Sequence, residues 1–429
     1  MSDQQEIYAA FPNVPQAPPD SIFQLTARYV ADKHPNKINL GVGAYRTDEG
    51  KPWVLPTVKK ASRQLEENPD IDHEYLPITG LPQFTKAAQG LIFGKQNKAV
   101  DEGRVISVQT LSGTGANHLA ALFFAKFYEF PTDKKEIYIS NPTWANHNAI
   151  ISNVGVTPVS YRYYNKETIA LDFDGYLEDL QKAPERSVIL VHGCAHNPTG
   201  VDPTAEQWDK ILDVFLQKKH YAFFDSAYQG FATGDLDRDA GSMRKFAEKR
   251  VPMLVCQSFA KNAGLYNERV GALHVVAADT KEAERVKSQL SVLQRSEISN
   301  PPAYGAHIVS MILTNPELFD SWKNDITTMS GRIIEMRDAL FDLLNDKFKT
   351  PPPPGRKDWG HIKEQIGMFS FTGLNPDQTK KLVEEHSVYL TGNGRISMAG
   401  LNTHNVETFA KAVDEVVRST SGSVPGSAL

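Results

Sequence analysis

The chain has little cysteine: only Cys194 and Cys256 occur among 429 residues. Two thiols build no disulfide framework and make no zinc-finger spacing. No apolar run approaches the ~18 residues that a membrane span requires. No tract is dense in Lys or Arg, and the net charge is −5, a poor basis for binding nucleic acid. A Walker A loop and the dinucleotide fingerprint are both missing, which disfavours ATP and NAD, and no Gly-x-Ser-x-Gly elbow occurs. Internal repeats are not visible, and low complexity is limited to Pro351-Pro352-Pro353-Pro354. The opening Met1-Ser2-Asp3-Gln4-Gln5-Glu6 lacks the character of a signal or transit peptide. The tail Gly426-Ser427-Ala428-Leu429 is only a loose relative of the peroxisomal Ser-Lys-Leu signal, because its middle residue is not basic. A cytoplasmic location is therefore expected, with the peroxisome as the alternative.

What remains describes a packed enzyme-sized chain. Apolar residues are 41% and charged residues 23%, close to the globular average, so a disordered or fibrous chain is excluded. At ~150 residues per domain the length corresponds to two or three domains. Seven short apolar runs read as strands: 105–110, 136–140, 157–161, 187–192, 222–224, 253–256 and 270–275. Most are unbroken rather than alternating, as in a parallel sheet covered on both faces. Helical patterns lie between many of them. The clearest spans 203–219, where Trp208, Ile211, Leu212, Phe215 and Leu216 share one face, with Asp202 as the expected cap and Pro203 at the first helical position. Strands alternating with helices imply an α/β fold. Near Pro316 the texture changes to a long helical pattern over 317–347, followed by the four prolines. The expected organisation is a large α/β domain over 52–325 with a mostly parallel seven-stranded sheet. A smaller α/β domain would combine the N-terminal residues 1–51 with 326–429.

Several residues carry possible chemistry. Lys261 follows the run 253–256, and a lysine at a strand's C-terminal end faces the crevice where α/β sheets bind ligands. In a dry pocket its amine becomes neutral and can condense with a carbonyl, although a lone lysine is ordinarily a solvated surface residue. Asp225 closes another strand, as a ligand contact or a helix cap, and Tyr228 could point into the same crevice. His196-Asn197-Pro198-Thr199-Gly200 is first a turn signal, in which Asn197 could also present a donor. His192, Cys194 and His196 alternate as a zinc site might, but no second Cys/His cluster converges on them, so no metal is expected. Ser112-Gly113-Thr114-Gly115 precedes an apolar helical stretch that begins at Asn117, and small residues at such a turn free backbone N–H groups for a phosphate, or simply make a tight turn. Arg295 and Arg395 suit bidentate carboxylate binding, although an ordinary arginine makes only a weak surface ion pair.

In combination the pieces change meaning. Asn39-Leu40-Gly41-Val42-Gly43-Ala44-Tyr45-Arg46, His73-Glu74-Tyr75-Leu76-Pro77, Leu111-Ser112-Gly113-Thr114-Gly115 and Asn141-Pro142-Thr143-Trp144 occur in that order. Cys194-Ala195-His196-Asn197-Pro198-Thr199-Gly200, Asp225-Ser226-Ala227-Tyr228-Gln229-Gly230-Phe231, Ser258-Phe259-Ala260-Lys261-Asn262 with Arg269, and Gly394-Arg395-Ile396 follow. Over nearly its whole length the chain resembles the fold-type I pyridoxal phosphate enzymes, and within them the aspartate aminotransferases.

The resemblance implies roles. Lys261 would hold pyridoxal 5'-phosphate covalently and move the substrate's α-proton. Asp225 would pair with the pyridine nitrogen, backed by His147. Asn197 and Tyr228 would donate to the ring's phenolic oxygen, and Trp144 would stack on the ring. Ser112, Gly113, Thr114, Ser258 and Arg269 would hold the phosphate, joined by Tyr75 from a neighbouring subunit. Arg395 would clamp the substrate α-carboxylate, and Arg295, again from the neighbour, the side-chain carboxylate. Trp144, Asn197 and Gly43 would border the substrate. The implied activity is reversible, ping-pong transamination between L-aspartate and 2-oxoglutarate, giving oxaloacetate and L-glutamate. The implied assembly is a homodimer with shared sites. Glu297-Ile298 departs from the family's pattern: Ile298 removes an aromatic wall, and Glu297 is expected to compete for Arg295. An aminotransferase of broader or aromatic specificity is therefore the alternative.

Overall fold

The structure is a computed structural model and describes residues 10–420. The opening hexapeptide and the Ser-Ala-Leu tail, on which the expectation about location rests, lie outside the described residues. The seven expected strands form one sheet, in the order Val105–Leu111, Val270–Val276, Met253–Ser258, Tyr221–Ser226, Val188–His192, Glu136–Asn141, Thr157–Arg162. Val270–Val276 is antiparallel to both of its neighbours and the other pairings are parallel. The exception has a simple cause. No helix separates it from Met253–Ser258, and a chain that turns back without a crossover can only pair antiparallel.

Alternate residues of the central strands feed two cores. Ile189, Val191, Phe224 and Val255 face one side, and Val188, Leu190, Phe223 and Leu254 the other. The first face is covered by the helices Ala205–Lys218 and Gly241–Glu248, the second by Ser112–Phe127 and Thr280–Glu297. Burial on both faces explains the unbroken apolar runs. A fully buried side chain such as Phe215 contributes roughly 1.5–3 kcal/mol.

Two helix starts differ from expectation. The helix Ala205–Lys218 is capped by Thr204, not Asp202: Thr204 accepts from the Gln207 N–H while the Gln207 side chain accepts from the Thr204 N–H. This reciprocal pair satisfies two orphan donors at once, which a single aspartate two residues earlier cannot. Asp202 instead accepts from the backbone N–H groups of Ala195 (2.6 Å) and His196 (2.8 Å), bracing the turn that carries Asn197. On the same helix Ile211, Leu212 and Phe215 are buried, but Leu216 is 43% exposed. The helix expected from Asn117 begins at Ser112, so Ser-Gly-Thr-Gly is its first turn rather than a loop before it.

After the sheet, the helix Pro316–Asp342 leads through a π-helical turn, Leu343–Lys347, to the proline segment. A smaller layer follows. Ile38–Asn39 pairs in parallel with Val388–Tyr389, and Phe369–Phe371 pairs antiparallel with Arg395–Ser397. Ile38, Leu40 and Tyr45 share a core with Trp322, Ile326, Leu390 and Phe409, so residues near both ends build this part together. No helix among the described residues is long and apolar enough to cross a membrane.

Candidate active site

The strands Val105–Leu111, Glu136–Asn141, Val188–His192, Tyr221–Ser226 and Met253–Ser258 point their C-terminal ends to one edge of the sheet. A pocket opens there, where α/β sheets bind ligands. It brings together Ser112, Gly113, Thr114, Trp144, Asn197, Asp225, Tyr228, Ser258, Lys261 and Arg269. These residues come from five stretches of sequence spanning more than half of the pocket-bearing sheet.

One end of the pocket is built for an anion. Ser112 sits at the first turn of the helix Ser112–Phe127, where backbone N–H groups lack intrahelical acceptors. Its Oγ lies 3.0 Å from the Ser258 Oγ. A Cβ on Gly113 would stand 3.1 Å from the Ser258 Cβ, so a side chain there would crowd the cradle. Arg269 donates to the Tyr266 carbonyl (2.8 Å) and has no ion-pair partner among the described residues. Its own carbonyl accepts from the Ser112 N–H (3.0 Å), which joins the turn before the strand Val270–Val276 to the helix start. Two hydroxyls, a helix N-terminus and an unpaired guanidinium suit a phosphate dianion.

The opposite end carries a carboxylate. Asp225 Oδ2 is 2.8 Å from His147 Nε2. Burial pushes the Asp225 carboxyl up, but the hydrogen bond from His147, with Lys261 nearby, outweighs it and holds the group below the usual carboxylate range. The chain behind it has a direction. His192 Nδ1 accepts from the Asn197 N–H (3.3 Å), and burial pulls the His192 pKa down to about 3. The neutral ring therefore carries its proton on Nε2 and donates to Thr143 Oγ1 (3.1 Å). The Thr143 hydroxyl then donates to His147 Nδ1 (2.8 Å), which leaves His147 Nε2–H to donate to Asp225. Thr143 and His192 were missed as site residues by sequence reasoning. The alternation His192-Cys194-His196 was the available signal, and its meaning is stacking. The His192 and His196 rings lie 4.1 Å apart, and Tyr163 stacks on His196 at 4.0 Å and 16°. Among the described residues no group of three His, Cys, Asp or Glu side chains could hold a metal ion.

Lys261 lies between the two ends, its Nζ 5.4 Å from the centre of the Tyr228 ring. Burial pulls its amine pKa down, Asp225 opposes this, and Arg269 adds to it. A larger share of the amine is thus neutral and nucleophilic. Burial pushes the Tyr228 hydroxyl up, so it stays protonated and can donate. Trp144 packs edge-on against His147 at 5.1 Å, forming a wall of the pocket.

Arg395 reaches the site from the smaller layer. Its Nη2 donates to the Gly41 carbonyl (2.8 Å), its guanidinium lies 4.5 Å over the Phe369 ring, and its Nε is buried without a partner among the described residues. A carboxylate ligand would satisfy that orphan donor. A Cβ on Gly43 would stand 2.8 Å from Phe369 Cζ. Phe369 also meets Tyr228 edge-on at 6.0 Å, and no sequence signal singled it out.

Of the residues singled out in the sequence, His147, Arg395 and Gly43 adjoin the pocket's lining through Asp225 and Phe369, whereas Tyr75 and Arg295 are not brought to it. Tyr75 is 80% exposed, and Arg295 is exposed at the end of the helix Thr280–Glu297, where it donates to Ser299 Oγ and Asn300 Oδ1. The segments that carry them are nevertheless joined: Asn300 donates to the Leu76 carbonyl (2.7 Å) and Gln294 to the Ile78 carbonyl (2.5 Å). Glu297 does not pair with Arg295. It accepts from His118 Nε2 at 2.9 Å. Residues two apart on a helix point to nearly opposite sides, so the expected competition does not arise.

The family described as aminotransferase class I and II matches residues 35–413. Cytoplasmic aspartate aminotransferase from Saccharomyces cerevisiae is 54% identical over 417 residues, covering 95% of this chain and 97% of that protein. A solved structure of aspartate aminotransferase from the Saccharomyces cerevisiae cytoplasm superposes with a TM-score of 0.91 at 53% identity, covering 96% and 99% of the two chains. An aromatic-amino-acid aminotransferase from Burkholderia pseudomallei, described as covalently bound to pyridoxal phosphate, also gives 0.91, at 36% identity over 96% and 100%. The chain belongs to the class I and II aminotransferases.

Proposed function

We propose that the chain is a pyridoxal phosphate-dependent aspartate aminotransferase, acting in the cytoplasm as its fungal relatives are named, and interconverting L-aspartate plus 2-oxoglutarate with oxaloacetate plus L-glutamate. The observation that carries this is the pocket itself: a buried amine at Lys261, its pKa pulled down by burial, between an anion cradle and the carboxylate of Asp225. Those donors fit pyridoxal 5'-phosphate. Ser112, Gly113, Thr114, Ser258 and Arg269 would take its phosphate, Asp225 its ring nitrogen, Asn197 and Tyr228 its phenolic oxygen, and Lys261 its aldehyde. When bound, the protonated ring withdraws electrons and stabilises negative charge on the substrate's α-carbon.

The residues do the rest. Arg395 binds the α-carboxylate and sets which face of the amino acid meets Lys261. The Lys261 amine takes the α-proton and returns it to the cofactor's C4′ carbon, acting first as base and then as acid. Asp225, kept ionised by His147, holds a proton on the ring nitrogen throughout. Trp144 restricts the ring to one plane. Amino donor and oxo-acid acceptor use the same groups in turn, which gives ping-pong kinetics.

Tyr75 and Arg295 are exposed and do not line their own pocket, and exposed Phe11 (80%) and Phe23 (78%) offer apolar contact area. We infer a two-fold homodimer in which each chain lends both residues to the other's site. The same reading divides the chain into 1–51, 52–325 and 326–429. The last boundary falls within the continuous helix Pro316–Asp342, which would tie the two parts mechanically.

Purified protein should be yellow, bleach on addition of aspartate, and form oxaloacetate when 2-oxoglutarate is supplied. Borohydride reduction followed by peptide mapping should label Lys261, and Lys261→Ala should abolish turnover. Labelling elsewhere, or retained turnover in that variant, refutes the assignment. A second reading, aromatic specificity, is favoured by the equally good superposition on the Burkholderia enzyme. A greater kcat/KM for phenylalanine than for aspartate would select it.

A further inference from the structure

Arg337 stands on the helix Pro316–Asp342, is 3% exposed, and has no carboxylate partner among the described residues. A buried charge without a counter-ion is costly, and burial pulls this guanidinium down to about 9. Its terminal nitrogens instead donate to backbone carbonyls, Nη1 to Ile362 (2.8 Å), Nη2 to Gly367 (2.8 Å) and to Phe369 (2.7 Å), while Nε has no partner among the described residues. One side chain thus grips a stretch of eight residues at three points. The same stretch is held from the other side by the Asn-Pro-Thr-Gly turn. The Ile366 N–H donates to the Gly200 carbonyl (2.7 Å), and a Cβ on Gly200 would lie 2.4 Å from the Phe369 carbonyl oxygen. The result is a fixed backbone at Phe369. Its ring lies under the Arg395 guanidinium at 4.5 Å, against Tyr228, and beside Gly43.

We propose that Arg337 is a positioning residue for carboxylate recognition, acting through Phe369. It fixes the aromatic face that keeps the Arg395 guanidinium flat and its free N–H edge turned towards the substrate. This rests on the reading of Arg395 as the α-carboxylate clamp. The physical basis is that a guanidinium stacked on a ring face is held in plane without spending its N–H donors, which stay available in the fork that a carboxylate needs.

The test uses the cofactor-loaded protein and three variants. Phe369→Leu keeps apolar bulk and removes the ring face. Arg337→Lys keeps a charge but cannot serve three carbonyls in fixed directions. Phe369→Tyr keeps the face. Calorimetry measures binding of maleate, a dicarboxylate with no amino group to react, and steady-state kinetics compares aspartate with phenylalanine. Phe369→Leu and Arg337→Lys should each weaken maleate and raise KM for both donors about tenfold, with kcat changed less than about threefold, while Phe369→Tyr stays within about twofold. Unchanged maleate affinity in Phe369→Leu overturns the proposal. So does an Arg337→Lys protein with a lower Tm but unaltered maleate binding and KM, because that assigns Arg337 to stability alone. A rise confined to aspartate also overturns it, because it places the effect at the distal carboxylate. If the unsubstituted protein binds no maleate, the reading of Arg395 falls together with the inference. If it binds and the variants match it, only the inference falls.

Discussion

Thr143 is where the hydrogen-bond chain behind Asp225 can be broken with least change of shape. Thr143→Val is nearly isosteric and removes one hydroxyl that joins His192 Nε2 (3.1 Å) to His147 Nδ1 (2.8 Å). Both imidazoles lie in the interior, so the substitution leaves one donor and one acceptor unsatisfied. At about 1–3 kcal/mol for each unpaired buried group, with some relaxation, the expected loss is about 2–4 kcal/mol of stability. Function should change separately. The ionised Asp225 still requires the Nε2–H of His147, but with Nδ1 unpaired the imidazole is less firmly oriented and is a poorer donor to it. A tenfold fall in kcat/KM, or about 1.4 kcal/mol, is expected for aspartate. Thr143→Ser keeps the hydroxyl and should recover most of both losses. Urea unfolding and steady-state kinetics on the two variants decide the matter. A valine variant that matches the serine variant within about 0.5 kcal/mol and with equal kcat/KM would falsify the directed chain.

Arg295→Leu should lower kcat/KM for aspartate by several kcal/mol of transition-state binding while phenylalanine loses far less, measured as the ratio of the two donors. Gly200→Ala should destabilise by more than about 1 kcal/mol, since the residue has φ +68 and an added Cβ meets a backbone oxygen at 2.4 Å; urea midpoints check it. Stability should fall steeply as pH drops towards 5. His192 and His274 are pulled down to about 3, His361 to about 4 and His196 well below its usual value, so each binds a proton readily only after unfolding and its contribution is lost below about 6.5. Asp202, pushed up to about 6, and Asp239, also pushed up by burial, work in the opposite sense and offset part of this; a flat profile from pH 7 to 5 would refute neutral burial of these rings.

The parts of this molecule that are legible in its sequence share a physical property: their signal is local. A strand buried on both faces is apolar without interruption, so 253–256 and 270–275 declare themselves. The residues after strand ends lie where ligands bind, so Lys261, Asp225 and Ser112 could be proposed from position and type alone. Helix starts were less legible because capping is a contest between neighbours. Asp202 is a good cap by type, but Thr204 with Gln207 satisfies two donors, and Asp202 has other work on the turn before it.

What could not be read are relations between distant segments. Thr143 and His192 are 49 residues apart and meet through a hydroxyl, and neither has a motif that names the other. Arg337 is more opaque still. Its acceptors are backbone carbonyls, which every residue possesses, so no side-chain pattern at 362, 367 or 369 could have announced the contact. Glu297 shows the converse hazard. Nearness in sequence suggested a pair with Arg295, whereas helical rotation turned the two apart and His118, 179 residues away, took the carboxylate. Reaction chemistry is thus carried by residue types at strand ends, whereas the tuning of that chemistry is carried by contacts whose partners only the fold selects. Substitutions at Thr143, Phe369 and Arg337 should therefore shift pKa values and carboxylate affinity while leaving the reaction type unchanged.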